Sequence, residues 1–141
     1  MMVRLLELLS GETPAGVFRY RGRAATERLC AAADRAGWRC FRLDGAPVME
    51  KAALLDALAG AADFPDYCGS NWDAVEECLR DLSWAPASGY LLVWEDARVL
   101  ARSDPRSFRM AEAVLTSVSD HWQERGVPFV VLLRGTGPVA S

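Results

Sequence analysis

The sequence predicts an α/β fold: a small, mostly parallel sheet of four strands, packed with helices in two or three layers. Three observations carry this reading. Short apolar runs alternate along the chain with stretches whose apolar residues recur at helical spacing. Residues 17–21, 24–35 and 38–43 read as strand, helix and strand, which implies parallel strands joined by a right-handed crossover. Tyr90, Leu91, Leu92, Val93 and Trp94 are apolar without alternation, the pattern of a central strand buried on both faces.

The elements follow in order. Val3, Leu5, Leu6, Leu8 and Leu9 suit a short helix over residues 1–9, and Gly11, Pro14 and Gly16 make the next stretch a loop. In the strand 17–21, Phe18 and Tyr20 face one way, while Val17, Arg19 and Arg21 face the other. Two arginines on one face suit an edge position or a wet face. Residues 24–35 group Leu29, Cys30 and Ala33 at helical spacing, and Gly37 is a candidate C-cap. The strand 38–43 ends at an Asp44-Gly45 turn. Leu54, Leu55 and Leu58 form the apolar face of a helix over 48–61, which Gly60 weakens near its end. Residues 83–89 are loop, 90–94 the central strand, and Glu95-Asp96 its end. Asp104-Pro105 opens a long helix, with proline at an early helical position. Its apolar residues are Phe108, Ala111, Leu115, Val118 and Trp122, and Gly126 stops it. Residues 128–133 form the last strand, and 136–141 a frayed tail.

A chain of 141 residues, 51% of them hydrophobic, suits one domain with a sizeable core. Linker composition is missing at Gly37 and the chain shows no internal repeat, so residues 1–141 read as one domain. The apolar runs fall short of the ~18 residues that span a bilayer. Residues 1–10 are too short and too charged for a secretory signal, so a cytoplasmic protein is expected. Net charge is −3, yet charge is unevenly placed. Residues 1–42 carry eight arginines against four acids (Glu7, Glu12, Glu27, Asp34), whereas 63–81 carries six acids against Arg80. The arginines are scattered among apolar residues without interleaved aromatics, which argues against direct nucleic-acid binding. Cys30, Cys40, Cys68 and Cys78 lack CxxC spacing, and with one histidine in the chain no zinc site is expected. Buried, reduced thiols are the default for such residues in a cytoplasmic protein.

The most informative stretch is Phe64-Pro65-Asp66-Tyr67-Cys68-Gly69-Ser70-Asn71-Trp72-Asp73-Ala74-Val75-Glu76-Glu77-Cys78-Leu79-Arg80-Asp81-Leu82. It reads as a loop entering an amphipathic helix over 72–82. At about 100° per residue, Trp72, Ala74, Val75, Cys78, Leu79 and Leu82 share one side; Asp73, Glu76, Glu77, Arg80 and Asp81 share the other. Ser70 or Asn71 serves as N-cap. A charged outer face belongs to any surface helix; the sharper reading is a negative surface aimed at a basic partner. Enzymatic chemistry lacks its parts. A phosphate-binding loop is missing, and Asp73 and Glu77 share one open face instead of the separated environments of an acid–base pair. His121, the only histidine, sits on a helix without catalytic partners. No catalytic residue and no cofactor is expected.

Tyr67-x-Gly69-x-Asn71-x-Asp73-Ala74, followed by Glu77 and Cys78-Leu79, resembles the barstar family of ribonuclease inhibitors, and the resemblance runs from about residue 41 to 134. It implies a three-stranded parallel sheet with helices on it as a core over 38–135, with 1–37 as a strand–helix extension that adds one N-terminal strand to the same sheet and 136–141 as the tail. It also implies a loop and acidic helix that plug the basic cleft of a secreted microbial ribonuclease. By the resemblance, Asp73 matches the first acidic contact, Tyr67 the loop aromatic, Gly69 the glycine that brings the backbone close to the enzyme, and Asn71 the structural helix-start asparagine. Glu77 stands where the central inhibitory carboxylate is an aspartate, Glu76 stands in place of a tryptophan, Arg80 adds a positive group to the face, and His121 takes the position of a rim glutamate. Trp72 and Cys78 keep structural roles on the inner side. The expected partner-binding set is Tyr67, Gly69, Asp73, Glu76, Glu77, Arg80 and His121. The alternative is a module of the same fold, an immunity or regulatory protein, whose partner is not a ribonuclease. A monomer is expected, with the strand edge at 17–21 open to pairing in a dimer.

Overall fold

The structure, a computed structural model, describes residues 15–136. The helix expected over 1–9 and the tail beyond Thr136 lie outside the described residues. The elements run β1 (Val17–Arg19), α1 (Thr26–Arg35), β2 (Arg39–Asp44), α2 (Lys51–Ala61), α3 (Trp72–Asp81), β3 (Tyr90–Glu95), α4 (Arg98–Ser103), α5 (Pro105–Gln123) and β4 (Phe129–Leu133). The strands form one sheet in the order β1-β4-β3-β2, and every pairing is parallel.

The sheet separates two cores, and strand pleating assigns residues to them. Tyr90, Leu92 and Trp94 of β3, Phe129, Val131 and Leu133 of β4, and Phe41 and Leu43 of β2 face the larger core, with Leu54, Leu55 and Leu58 of α2, Val75 and Leu79 of α3, and Phe108, Leu115 and Val118 of α5. Leu91, Val93, Val130 and Leu132 face a smaller core closed by Leu29 and Ala33 of α1 and by Trp38. The architecture is therefore three layers. The first strand–helix–strand unit does not pair its own strands. β1 and β2 lie at opposite edges, and α1 between them in sequence packs on β2 and β3. Phe18 and Tyr20 join the smaller core and Val17 the larger, as their alternation requires.

Capping follows local chemistry. Asp104 accepts the Ser107 amide at 3.2 Å, with Pro105 next to it at the start of α5. The Ser107 hydroxyl, and then that amide, hold the Asp104 carboxyl below its ordinary pKa. Gly37 follows α1 at φ +82°, where a side chain would be strained. Helix α4 is an addition to the sequence reading. Its six residues lack a side-chain N-cap, and Ala97 and Arg98 instead donate to the carbonyls of Arg134 and Gly135 after β4.

The thiol expectation is corrected. Cys30 is bonded to Cys40 and Cys68 to Cys78, with Cα separations of 5.3 and 6.4 Å, and no described cysteine is free. The first bond ties α1 to β2; the second ties the loop after α2 to α3. Neither pair has a sequence signature, because folding alone brings each pair together.

Two glycines separate steric from entropic roles. A Cβ on Gly45 would overlap the Glu95 carbonyl oxygen and lie 2.7 Å from the Trp94 ring nitrogen, whereas a Cβ on Gly60 in α2 meets nothing within 4 Å. Urea unfolding of Gly45→Ala should show a loss of about 1–3 kcal/mol from overpacking. Gly60→Ala should gain about 0.5–1 kcal/mol by removing helix-interior glycine.

Candidate functional site

The acidic helix is held from its inner side and from both ends. Val75, Cys78 and Leu79 are buried, and Trp72 is half-buried against the larger core. Asn71, not Ser70, is the N-cap, accepting the Ala74 amide at 2.8 Å. At the other end the Trp122 indole N–H donates to the Leu79 carbonyl at 2.8 Å, satisfying one of the carbonyls a helix leaves open. Leu82 terminates the helix in the left-handed region, at φ +46° with its side chain buried.

Asp73, Glu77 and Asp81 recur every fourth residue and are all exposed, so α3 presents a row of carboxylates along one stripe. Beside that stripe lies an open cleft of about 260 Å³, lined by Tyr67, Cys68 and Gly69 from the loop and by Ala74, Glu77, Cys78 and Asp81 from the helix. Tyr67 is 71% exposed. Its ring leans edge-on against Trp84, centroids 6.4 Å apart. Trp84 is itself fixed by an edge contact to Phe64 and by donating its indole N–H to the Ala62 carbonyl at 2.9 Å. Gly69 lies close to the helix, with room for a Cβ only 3.0 Å from that of Ala74.

Glu76 and Arg80 form a separate unit. Arg80 Nη2 donates to Glu76 Oε2 at 2.7 Å and also to the Ser117 hydroxyl of α5, which in turn donates to the same carboxylate at 2.7 Å. The ion pair is the favourable Glu-to-Lys/Arg orientation at i, i+4, and it offsets the positive charge that Arg80 brings to this face. His121 stands at the far end, on α5. Arg125 Nη1 donates to its backbone carbonyl at 3.0 Å and lies 3.3 Å from its Nδ1. A guanidinium only donates, so this contact favours the neutral imidazole with its proton on Nε2. Partial burial, and then the charges of Arg125 and Arg80, hold the His121 pKa below the ordinary value.

Tyr67, Gly69, Glu77 and Cys78 thus meet at one cleft, with Asp73 on the same stripe. Glu76 and Arg80 pair with each other beside it, His121 lies at the periphery, and Asn71 and Trp72 support the helix from within. The sequence reading did not single out Cys68, Asp81, Ser117 or Trp84 for the site. For Asp81 the i, i+4 spacing from Glu77 was an available signal; the others depend on contacts between separate elements.

The carboxylate row is unfavourable to the free protein. Like charges four residues apart cost about 0.2–0.5 kcal/mol per pair, and Asp81 also sits at the negative end of the helix dipole. Asp81→Asn and Glu77→Gln should each raise the unfolding free energy by a few tenths of a kcal/mol, whereas Asn71→Ala should lower it by about 0.5–2 kcal/mol through the lost cap. Proton titration followed by NMR should place the His121 midpoint below the ordinary imidazole value of 6.5. Because the unfolded chain binds this proton more tightly, His121 contributes stability above pH 6.5 that is lost as pH falls through the folded pKa.

Among the described residues no helix is long and apolar enough to cross a membrane. A search of curated proteins finds none that matches the chain. The family model described as Barstar (barnase inhibitor) matches residues 38–134, which include both the acidic loop and helix and the whole sheet except β1. The chain belongs to the barstar family.

Proposed function

We propose that this protein inhibits a microbial ribonuclease of the extracellular type, plugging the enzyme's basic active-site cleft with the acidic loop and helix, residues 63–82. The observation that carries the reading is the row Asp73, Glu77 and Asp81 on a helix fixed at both ends, beside an open cleft. A ribonuclease must present cations to bind RNA phosphates. Carboxylates held in a row compete for those cations, and fixed geometry limits the entropy lost on docking. Opposed fields also raise the association rate above the neutral ~10⁵–10⁶ M⁻¹s⁻¹.

In this reading Glu77 is the central contact, since it lies both on the carboxylate row and on the cleft wall. Asp73 flanks it. Tyr67 supplies an exposed aromatic anchor, and Gly69 lets the backbone approach the enzyme. Glu76 and Arg80, already paired directly and bridged by Ser117, contribute shape more than charge, and a neutral His121 forms the edge. The protein acts by occupying a site and not by catalysis, inside the cell that makes it, as a monomer, with a protein partner and no direct contact to nucleic acid.

Purified protein assayed against a panel of guanyl-specific microbial ribonucleases should inhibit stoichiometrically at low salt and more weakly at about 0.5 M salt, where screening shortens the range of the field. Glu77→Ala should weaken binding by about 2 kcal/mol or more, the scale of an interface hot spot. Glu76→Ala should weaken it less. A loss below about 0.5 kcal/mol at Glu77 would remove that residue from the centre of the interface. Failure to inhibit any member of the panel would favour a barstar-family module whose partner is another kind of protein.

A further inference from the structure

The cleft has a covalent floor. Both members of the second disulfide line it: Cys68 from the loop, half-exposed between Tyr67 and Gly69, and Cys78 from the inner side of α3, next to Glu77. Other ties on this segment are few. Among the described residues no backbone hydrogen bond from residues 65–70 reaches another element; the Cys68 amide donates only to Pro65 within the loop. Tyr67 touches Trp84 by a ring edge alone. The bond joins the loop at Cys68 to the buried face of the helix at Cys78, so that only Gly69, Ser70 and Asn71 separate the cross-linked loop residue from α3. The Cys30 to Cys40 bond lies in a different part of the fold, between α1 and β2, and does not line the cleft.

We propose that the Cys68 to Cys78 bond is a redox gate on partner binding. Oxidised, it holds the loop and α3 as one receptor surface; reduced, it frees the loop carrying Tyr67 and Gly69 while α3 keeps its carboxylates. The inference rests on the reading of this face as the ribonuclease-binding surface. The reductant is a dithiol. One of its thiolates attacks the sulfur of Cys68, the less buried residue of the pair, forming a mixed disulfide as Cys78 leaves as thiolate. Its second thiol then displaces Cys68 and closes a cyclic disulfide. Two electrons and two protons pass from the dithiol to the two cysteines, and no other oxidant or reductant is needed. Because the gate acts on the loop and leaves the charge row in place, reduction changes affinity without changing the sign of the electrostatic field.

The test uses the full chain with Cys30→Ser/Cys40→Ser, so that one disulfide remains, compared oxidised and after reduction by dithiothreitol. Without any partner, backbone order parameters for residues 66–70 should fall from about 0.85 to below about 0.6 on reduction. Against a ribonuclease that the oxidised protein inhibits, reduction should weaken inhibition about tenfold or more, as expected for loss of preorganisation. In otherwise wild-type protein, Cys68→Ser/Cys78→Ser should resemble the reduced state in both oxidised and reducing buffer, which keeps the test decisive if the first variant folds poorly. Unchanged order parameters, or equal inhibition in the two states, would overturn the gate. Absence of inhibition in both states would overturn the ribonuclease reading alone, and the order parameters would still decide whether the bond controls the loop.

Discussion

The structure depends on a sheet that cannot leave either face wet. In β3 and β4 successive residues point to opposite sides, and all of them from Tyr90 to Trp94 and from Phe129 to Leu133 are buried. A parallel sheet of this composition requires cover on both faces. On one side the cover is α2, α3 and α5; on the other it is α1, from the segment before Trp38. The family match begins at residue 38, so the second layer and the edge strand β1 belong to the part of the chain outside the match. Burying Leu91, Val93, Val130 and Leu132 is the physical role of that part, and the Cys30 to Cys40 bond fastens it to β2.

Seating α3 on the first face determines what it can offer to a partner. Val75, Cys78 and Leu79 point inward, so the helical period places Asp73, Glu77 and Asp81 outward with no freedom to rotate away. Two tryptophans stabilise the surroundings, Trp122 at the carbonyl end of α3 and Trp84 beneath the loop. Each has its indole N–H donating to a helix-end carbonyl and its ring packed against the larger core, so each serves stability and positioning together. The like-charge row opposes folding slightly, a local conflict between charge placement and stability.

The polar unit beside the row shows how tertiary context changes the meaning of a residue. Arg80 read from sequence is a cation on an acidic face, with Glu76 four residues before it as a local partner. In the folded chain it is held by Glu76 and by Ser117, a residue of another helix. His121 likewise reads as a titratable group, yet its surroundings favour the neutral ring. The acidic character of the face therefore resides in Asp73, Glu77 and Asp81, while the α3–α5 seam is nearly balanced.

Local patterns in the sequence determined most of the fold and the acidic outer face of α3. The continuous apolar runs of β3 and β4, the wheel of α3, the Asn71 and Asp104 caps and the breaks at Gly37 and Gly126 depend on residues within a few positions of one another. Periodicity, propensity and side-chain capping act at that range. The family motif over residues 67–79 is local for the same reason. Only the tertiary structure decided the rest: the opposite-edge placement of β1 and β2, the six-residue α4 held by carbonyls after β4, the two disulfides, the cleft between loop and helix, and the Ser117 hydroxyl that joins Glu76 and Arg80 to α5. Each of these is a meeting of segments that approach only when the apolar faces close on one another, and side chains brought together by core packing leave no period or spacing in the chain by which to find them.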